Sequence, residues 1–163
     1  MSEINLGIIG GGQLGSMLAV ASKKLNIKTT VYCDDVDAPA QNFCNDFIFG
    51  DYNNQKKILE FVSKVDLITY EFENIPYETL NEINKLKPVL PKPSVNRLIQ
   101  HRLAEKDFIN KLNIRTTRYV SIEKKSDIET LEDFLPGILK TMTMGYDGKG
   151  QYPIKKIDDL NLI

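Results

Sequence analysis

The chain has 163 residues, 42% of them hydrophobic and 26% charged, which suits one ordinary globular domain or two small ones. Its 21 basic and 22 acidic residues leave a net charge of −1, which excludes a general basic surface for nucleic acid or an anionic membrane. The sequence has neither a membrane-spanning apolar run nor a secretory signal, and Cys33 and Cys44 lack metal-binding spacing, so we expect a cytoplasmic protein with reduced, partly buried thiols.

In chain order, the first predicted unit is β-α-β. Residues 4–9 are apolar and predict a short buried strand, which runs directly into the glycines at 10–12. Apolar side chains then recur at helical spacing over residues 14–25. Residues 28–33 are β-branched and apolar, and they predict a second strand that completes the unit.

Two further strand–helix pairs follow. The first is a strand at 47–49 with a helix from about Asn54, and the second is a strand at 66–70 with a helix that begins at Pro76. The regular alternation of strands and helices predicts an α/β fold with a Rossmann-like, doubly wound parallel sheet. The helix residues expected to face the core are Ile58, Leu59, Val62, Leu80, Ile83 and Leu86.

A proline-rich connector predicts the boundary between two domains. Pro88, Pro91 and Pro93 fall within six residues, and such a stretch suits neither a helix nor a central strand. We therefore expect the first domain to comprise residues 1–92 and the second to comprise residues 93–163.

The second part of the chain has a weaker alternating pattern. Ser94 is predicted to cap a helix that bends near His101 and continues through Leu112. The remaining predicted elements are a strand at 116–120, a helix at 127–134, and strands at 137–140 and 152–156.

The glycines after the first strand form the pattern Gly10-x-Gly12-x-x-Gly15, and Asp34 stands 19 residues beyond the last of them. This spacing between a strand and a helix is typical of dinucleotide-binding domains, so an NAD-dependent dehydrogenase is one hypothesis. Glycine-rich first turns also occur in α/β domains that bind another ligand at the helix N-terminus. The pattern alone leaves both alternatives open.

An acidic pair, Glu71 and Glu73, follows the fourth predicted strand. Ligands of open α/β sheets bind beyond the carboxyl ends of the strands, so a carboxylate here can reach the space above the glycine turn. It would suit an amine or a ribose hydroxyl and would repel phosphate. The alternative is an exposed acidic loop before Pro76.

The segment 137–151 is rich in glycine and carries Lys140 and Lys149. Glycines allow backbone N–H groups to approach an anion and lysines add mobile charges, which predicts a loop that covers phosphates. Asp147-Gly148 is equally a turn signal for a β-hairpin. Arg102 is a third cation that could converge on a nucleotide.

Taken together, four stretches resemble the purine-pathway ATP-grasp ligases of the 5-(carboxyamino)imidazole ribonucleotide synthase family, also known as the ATPase subunit of phosphoribosylaminoimidazole carboxylase. These are Gly-Ile-Ile-Gly-Gly-Gly-Gln-Leu-Gly at 7–15, Tyr-Glu-Phe-Glu-Asn-Ile-Pro at 70–76, His-Arg-Leu-Ala-Glu-Lys at 101–106, and Ile-Leu-Lys with Gly-Tyr-Asp-Gly-Lys-Gly-Gln within 138–151. The resemblance covers nearly the whole chain. It implies a pre-ATP-grasp domain followed by the start of an ATP-grasp domain.

The resemblance also implies a reaction. ATP would phosphorylate bicarbonate to carboxyphosphate, and the amine of 5-aminoimidazole ribonucleotide would then be carboxylated, with release of ADP and phosphate. The implied cofactors are ATP and Mg²⁺, the implied partners are these small molecules, and the intact protein is expected to be a homodimer. A related ligase, such as formate-dependent glycinamide ribonucleotide transformylase, is an alternative because acceptor choice depends on few residues.

Site residues follow from the same resemblance. Those implied to bind the ribonucleotide are Gly12, Gln13, Leu14, Glu71 and Glu73. Those implied to bind ATP are Arg102, Lys140, Gly145, Tyr146, Asp147, Gly148, Lys149, Gly150 and Gln151.

Three features depart from the family pattern. His101 stands where the family usually has an acid, and Met142-Thr143 replace a pair that is commonly basic. The family's chains are also considerably longer, and the additional part holds the adenine pocket, the magnesium ligands and residues that bind the substrate phosphate. We therefore expect no metal ligands within this chain and expect it to be a fragment that is inactive alone.

Overall fold

The computed structural model describes residues 4–145 and 148–162, and it divides into two compact units. The first unit ends at Arg97 and the second begins at Leu98. The division falls within a short helix, α4 (Pro93–Ile99), and therefore lies a few residues beyond the predicted boundary after residue 92. That boundary stays a prediction.

A parallel sheet of four strands forms the centre of the first unit. In chain order the strands are β1 (Asn5–Ile9), β2 (Lys28–Cys33), β3 (Asp46–Phe49) and β4 (Leu67–Tyr70), and their order in the sheet is β3-β2-β1-β4. Every neighbouring pair is parallel. A single parallel bridge between Ile68 and Val89 adds one more contact beside β4.

Helices cover both faces of this sheet, because successive strand residues such as Ile8 and Ile9 point to opposite sides. On one face lie α1 (Gln13–Lys24) and a 3-10 helix (Pro39–Asn42), and on the other lie α2 (Gln55–Lys64) and α3 (Tyr77–Leu86). The predicted Rossmann-like, doubly wound α/β fold is thus confirmed. The larger core cluster contains Ile9, Tyr32, Ile48, Tyr52, Phe61, Val62, Val65, Ile68, Ile75, Leu80, Ile83 and Val89.

Helix α1 packs on the sheet through small residues. Its buried residues are Gly15, Ser16, Ala19 and Ser22. A Cβ atom at Gly15 would lie only 2.6 Å from the carbonyl oxygen of Gly10, so glycine permits the close approach of helix to turn. The larger apolar residues that predicted this helix are left on its exposed side.

Two residues predicted to face the core are exposed instead. Leu59 in α2 is 56% exposed and Leu86 in α3 is 55% exposed. In α2 the buried side is set by Phe61 and Val62, with Leu59 turned away from it, and Leu86 is the last residue of α3. The other four predicted residues are buried or pack against the core, as expected.

The second unit contains α5 (Arg102–Lys111) and an antiparallel strand pair, β5 (Gly137–Lys140) and β6 (Gln151–Ile154). Short 3-10 helices cover Lys125–Thr130, Glu132–Phe134 and Ile157–Leu162. The single helix predicted over 127–134 is therefore wrong, because two short 3-10 turns stand in its place.

The strand predicted at 116–120 is also wrong, since these residues form no ladder. Side-chain bonds connect this segment to α5 instead. The hydroxyl of Tyr119 donates to Asp107 Oδ1 at 2.6 Å, and Asn110 Nδ2 donates to the same hydroxyl at 3.1 Å. Ser94 was predicted as a helix cap, but Pro93 is already the first residue of α4, so Ser94 lies inside that helix.

Both cysteines are free, as predicted, with Cys33 buried and Cys44 half-buried. Burial raises the pKa of each thiol.

Candidate functional site

The sheet brings the glycine turn and the acidic segment together. The turn at 10–12 follows β1, the acidic segment at 71–76 follows β4, and β1 and β4 are neighbours with Ile9 opposite Tyr70. The backbone N–H of Glu71 continues this pairing by donating to the carbonyl of Ile9 at 3.1 Å. Glu71 is thus placed beside the glycine turn at the carboxyl edge of the sheet, where ligands of such sheets bind.

The carboxylate of Glu71 lies among the glycines of the motif. Its Oε1 atom accepts a hydrogen bond from the backbone N–H of Gly12 at 3.1 Å. Cβ atoms at Gly10, Gly12 and Gly15 would lie 2.7, 3.4 and 3.5 Å from the same oxygen. Gly10 also has φ of +104°, which side-chain-bearing residues rarely adopt. The glycines therefore make room for a carboxylate that the chain itself supplies.

Burial raises the pKa of Glu71, and the hydrogen bond from Gly12 opposes this only in part. A carboxylate that is partly desolvated at the carboxyl edge of a sheet is a typical functional group. It can accept hydrogen bonds from an amine or a hydroxyl, and it repels a phosphate.

The other residues predicted to bind the ribonucleotide lie near this point. Gln13 and Leu14 form the first turn of α1 with exposed side chains, and Glu73 is exposed two residues beyond Glu71. The structure joins Gly12 to Glu71 by a hydrogen bond. Roles for Gln13, Leu14 and Glu73 stay predictions.

A buried asparagine that sequence reasoning missed supports the acidic segment. Asn96 in α4 is 0% exposed, and its Nδ2 atom donates to the carbonyl of Ile75 at 3.1 Å. Asparagine in a helix is ordinarily exposed, so nothing in the residue pattern marked this position. Together with the bond from Glu71 to Ile9, this contact fixes the acidic segment near both of its ends.

In the second unit, Arg102 begins α5 and binds the segment that follows β5. Its backbone N–H donates to Met142 O at 2.8 Å. Its guanidinium donates through Nη2 to Gly145 O at 3.0 Å and through Nε to Thr141 O at 3.4 Å. Arg102 thus positions residues 141–145, the part of the glycine-rich segment that follows β5. Its contact with ATP stays a prediction.

His101, predicted to be a surface residue without a catalytic role, is the N-cap of α5. Its Nδ1 atom accepts from the backbone N–H of Ala104 at 3.4 Å. An aspartate at this position could accept the same bond from the backbone N–H. The departure at His101 therefore preserves the start of the helix that carries Arg102.

The glycine-rich segment is the connection of a hairpin. Lys140 of β5 pairs with Gln151 of β6. The N–H of Thr141 donates to Gly150 O at 2.9 Å, and this bond joins the two ends of the connection. The hairpin and phosphate-loop interpretations are therefore compatible. Tyr146 and Asp147, predicted to bind ATP and to form a turn, lie outside the described residues. The predicted ATP-binding lysines, Lys140 and Lys149, are both exposed.

Within residues 4–145 and 148–162, no group of three or more His, Cys, Asp or Glu side chains is arranged to hold a metal ion. Over the same residues, none of the helices has the length and apolar character needed to cross a membrane.

Comparison with known families shows two matches. Residues 1–100 match the ribonucleotide synthetase preATP-grasp domain, and residues 107–163 match the ATP-grasp domain. The predicted order of a pre-ATP-grasp domain followed by the start of an ATP-grasp domain is thus confirmed.

Two curated relatives match nearly the whole of this chain. The chain is 40% identical over 159 residues to the bifunctional purine synthesis protein purC/E of Dictyostelium discoideum, covering 96% of this chain and 16% of that protein. It is 37% identical over 159 residues to the N5-carboxyaminoimidazole ribonucleotide synthase of Brucella melitensis, covering 94% of this chain and 43% of that protein. The chain therefore spans less than half the length of either relative.

Among solved structures, N5-carboxyaminoimidazole synthetase from Staphylococcus aureus complexed with ADP superposes with a TM-score of 0.91 at 34% identity. The match covers 98% of this chain and 43% of that chain.

Proposed function

The chain belongs to the ribonucleotide synthetase preATP-grasp family, and we propose that it is the N-terminal part of an ATP-dependent ligase that carboxylates 5-aminoimidazole ribonucleotide. In the proposed reaction, ATP phosphorylates bicarbonate to carboxyphosphate. The amine of the ribonucleotide then attacks the carboxyl carbon, and the carbamate, ADP and phosphate are released. The names of the Brucella and Staphylococcus relatives support this choice of substrate.

The observation that carries the proposal is the position of Glu71. Its carboxylate lies on the glycine turn, bonded to Gly12, at the carboxyl edge of the sheet. An aminoimidazole ribonucleotide offers an amine and two ribose hydroxyls, all of which donate hydrogen bonds to a carboxylate. We infer that Glu71 orients one of these donor groups.

In the second unit, the hairpin that Arg102 braces is proposed to cover the phosphates of ATP, with Lys140 and Lys149 supplying positive charge. The ADP bound to the Staphylococcus structure supports this part of the proposal. Mg²⁺ is inferred as a further cofactor, but the described residues hold no ligand cluster for it, so no step through the metal is assigned to this chain. Homodimer formation and a cytoplasmic location are inferred from the family resemblance.

Calorimetric titration of the 163-residue chain with 5-aminoimidazole ribonucleotide tests the first part of the proposal. We expect saturable binding that Glu71→Gln weakens, with Glu78→Gln, an exposed change of equal charge on α3, as the matched control. Titration with glycinamide ribonucleotide tests the transformylase alternative and is expected to show weaker binding. Absence of aminoimidazole ribonucleotide binding to the wild-type chain would contradict the assignment of its acceptor substrate.

Turnover is tested in a protein of the relatives' length. Such a protein, supplied with ATP and bicarbonate, is expected to release ADP only when the aminoimidazole ribonucleotide is present. ADP release that is independent of the ribonucleotide would contradict the proposed reaction, whatever the calorimetric titration shows.

A further inference from the structure

Helix α4 contacts the acidic segment and its flanking residues at three places. The Nδ2 atom of Asn96 donates to the carbonyl of Ile75 at 3.1 Å. The guanidinium of the next residue, Arg97, lies over the ring of Tyr77, 4.9 Å from its centroid. Burial raises the pKa of the Tyr70 hydroxyl, and the nearby backbone of Asn96 opposes this rise. Helix α4 therefore contacts the chain before, within and after the acidic segment.

Asn96 is unfavourable at this position as far as packing is concerned. It is 0% exposed, and within the part of the chain that the structure describes its Oδ1 atom has no hydrogen-bond partner. A buried polar atom without a partner destabilises a fold, so an apolar side chain of similar shape, such as leucine, would suit the same space better. The Nδ2 atom can donate to the carbonyl of Ile75, which an apolar side chain cannot do. The contact with Ile75 therefore accounts for an amide where packing alone does not.

The carbonyl that Asn96 holds belongs to the same irregular segment as Glu71. Residues 71–76 form neither helix nor strand, so their course depends on the points at which they are anchored. At the start, the N–H of Glu71 donates to Ile9 O at 3.1 Å, and near the end Asn96 holds the fully buried Ile75. Loss of Asn96 would take a hydrogen bond from this buried backbone, and a segment without regular structure can move to replace it. The Glu71 carboxylate, bonded to Gly12, would be displaced with the segment.

We propose that Asn96 is a positioning residue for the proposed ligase reaction, which holds the Glu71 carboxylate at the glycine turn through the backbone of Ile75. It acts from inside α4, where it is fully buried. Groups that orient a substrate must be held to within about 0.5 Å, so a displaced segment weakens binding even when every contacting side chain is intact. The inference rests on the proposed function for the identity of the ligand. The effect of Asn96 on Glu71 can be measured without that ligand.

The experiment compares Asn96→Leu with Thr79→Val in the 163-residue chain. Each change removes a buried side-chain donor to a backbone carbonyl, since Thr79 of α3 donates to Tyr52 O at 2.8 Å. The contact made by Thr79 lies outside the acidic segment, so this variant is the matched control. Circular dichroism and thermal melting establish that each variant is folded and measure its loss of stability. Titration followed by NMR then gives the pKa of the Glu71 carboxyl in each chain.

Burial is the main cause of the raised pKa of Glu71 in the wild-type chain. Asn96→Leu is expected to lower this pKa toward the ordinary glutamate value of about 4.3, because the carboxylate leaves its partly buried position. The same change is expected to shift the amide resonance of Gly12. Thr79→Val is expected to change neither property, so a general loss of stability is distinguished from the loss of positioning.

Calorimetric titration with 5-aminoimidazole ribonucleotide adds the functional measurement. Asn96→Leu should bind the ribonucleotide about tenfold more weakly than wild type or Thr79→Val. A folded Asn96→Leu chain that keeps the wild-type pKa of Glu71 or the wild-type affinity would overturn the proposal, as would equal effects of Thr79→Val. Asn96→Ala, which removes the same donor, is used if the leucine variant is unfolded. If the wild-type chain does not bind the ribonucleotide, the proposed function fails, and the titration of Glu71 alone decides the role of Asn96.

Discussion

At the residue scale, the partial burial of Glu71 has an electrostatic cost to the fold. Burial disfavours its charged form, and a single backbone N–H from Gly12 compensates only in part. A group whose pKa is raised in the folded state contributes stability at pH values below its unfolded pKa and loses that contribution as the pH rises through the folded value. The wild-type chain should therefore lose stability through Glu71 as the pH rises.

Glu71→Gln is expected to remove this pH dependence, because glutamine keeps an oxygen acceptor for Gly12 and has no charge. The free energy of unfolding of the variant minus that of wild type should rise with pH, starting near the ordinary glutamate pKa of about 4.3. It should level off above the raised pKa. Urea unfolding at a series of pH values measures this difference, with Glu78→Gln as the baseline. A difference that stays constant or falls with rising pH would contradict the assignment.

Sequence reasoning found Glu71 but not its surroundings. The position of this carboxylate at the carboxyl edge of the sheet could be predicted, because Glu71 follows an apolar run that predicts a strand. Ligand sites of such sheets lie at the carboxyl ends of the strands. The contact with Gly12 depends on β4 lying beside β1, which is a pairing between distant segments. Asn96 could not be predicted, since its burial depends on how α4 packs against the acidic segment.

At the element scale, the hairpin of β5 and β6 depends on α5 for its orientation. The Arg102 guanidinium donates two hydrogen bonds, to the carbonyls of Thr141 and Gly145 in the segment that follows β5. A planar guanidinium can make both at once. The hydrogen bond from Thr141 to Gly150 joins the two ends of the same connection. Loss of the guanidinium should therefore weaken this hydrogen bond even without a nucleotide.

Arg102→Met is expected to increase amide hydrogen exchange at Thr141 by about tenfold, since bonds from a charged donor contribute roughly 1.5–3 kcal/mol and this one is only partly buried. Arg102→Lys should restore part of the protection, because lysine keeps the charge but lacks the fork. Arg115→Met, an exposed change of the same kind, is the control. Unchanged exchange at Thr141 in Arg102→Met would show that the pairing of β5 with β6 holds this hydrogen bond without help from Arg102.

The strands of the parallel sheet could be predicted from the sequence, whereas the strand at 116–120 was predicted wrongly. All four strands of the parallel sheet were predicted because buried parallel strands are nearly continuous apolar runs. The segment 116–120 has similar β-branched and aromatic residues, but its side chains bond to α5 and it pairs with none of the strands that the structure describes. Local composition cannot distinguish these outcomes, because the ladder partner is supplied by another part of the chain.

At the scale of the whole molecule, buried apolar residues are concentrated in the first unit. Both core clusters lie between Ile8 and Val89. In the part of the second unit that the structure describes, Leu131 and Ile154 are the buried hydrophobic residues, and α5 has no buried residue. The alternation of strands and helices predicted the first unit, whereas the described residues of the second unit form no continuous core from which its elements could be predicted.

This distribution predicts that the two units unfold separately, because local stability follows the amount of buried apolar contact. Limited proteolysis is expected to cut first beyond residue 97 and to leave a longer-lived fragment that contains the parallel sheet, identified by mass spectrometry. Ile83→Ala removes a side chain that is 1% exposed in the large core, so it should destabilise that fragment by about 2–5 kcal/mol and abolish its protection. Ile154→Ala, at a position 4% exposed in β6, should leave the fragment intact. If Ile154→Ala shortened its lifetime as much as Ile83→Ala, the two units would have to unfold as one.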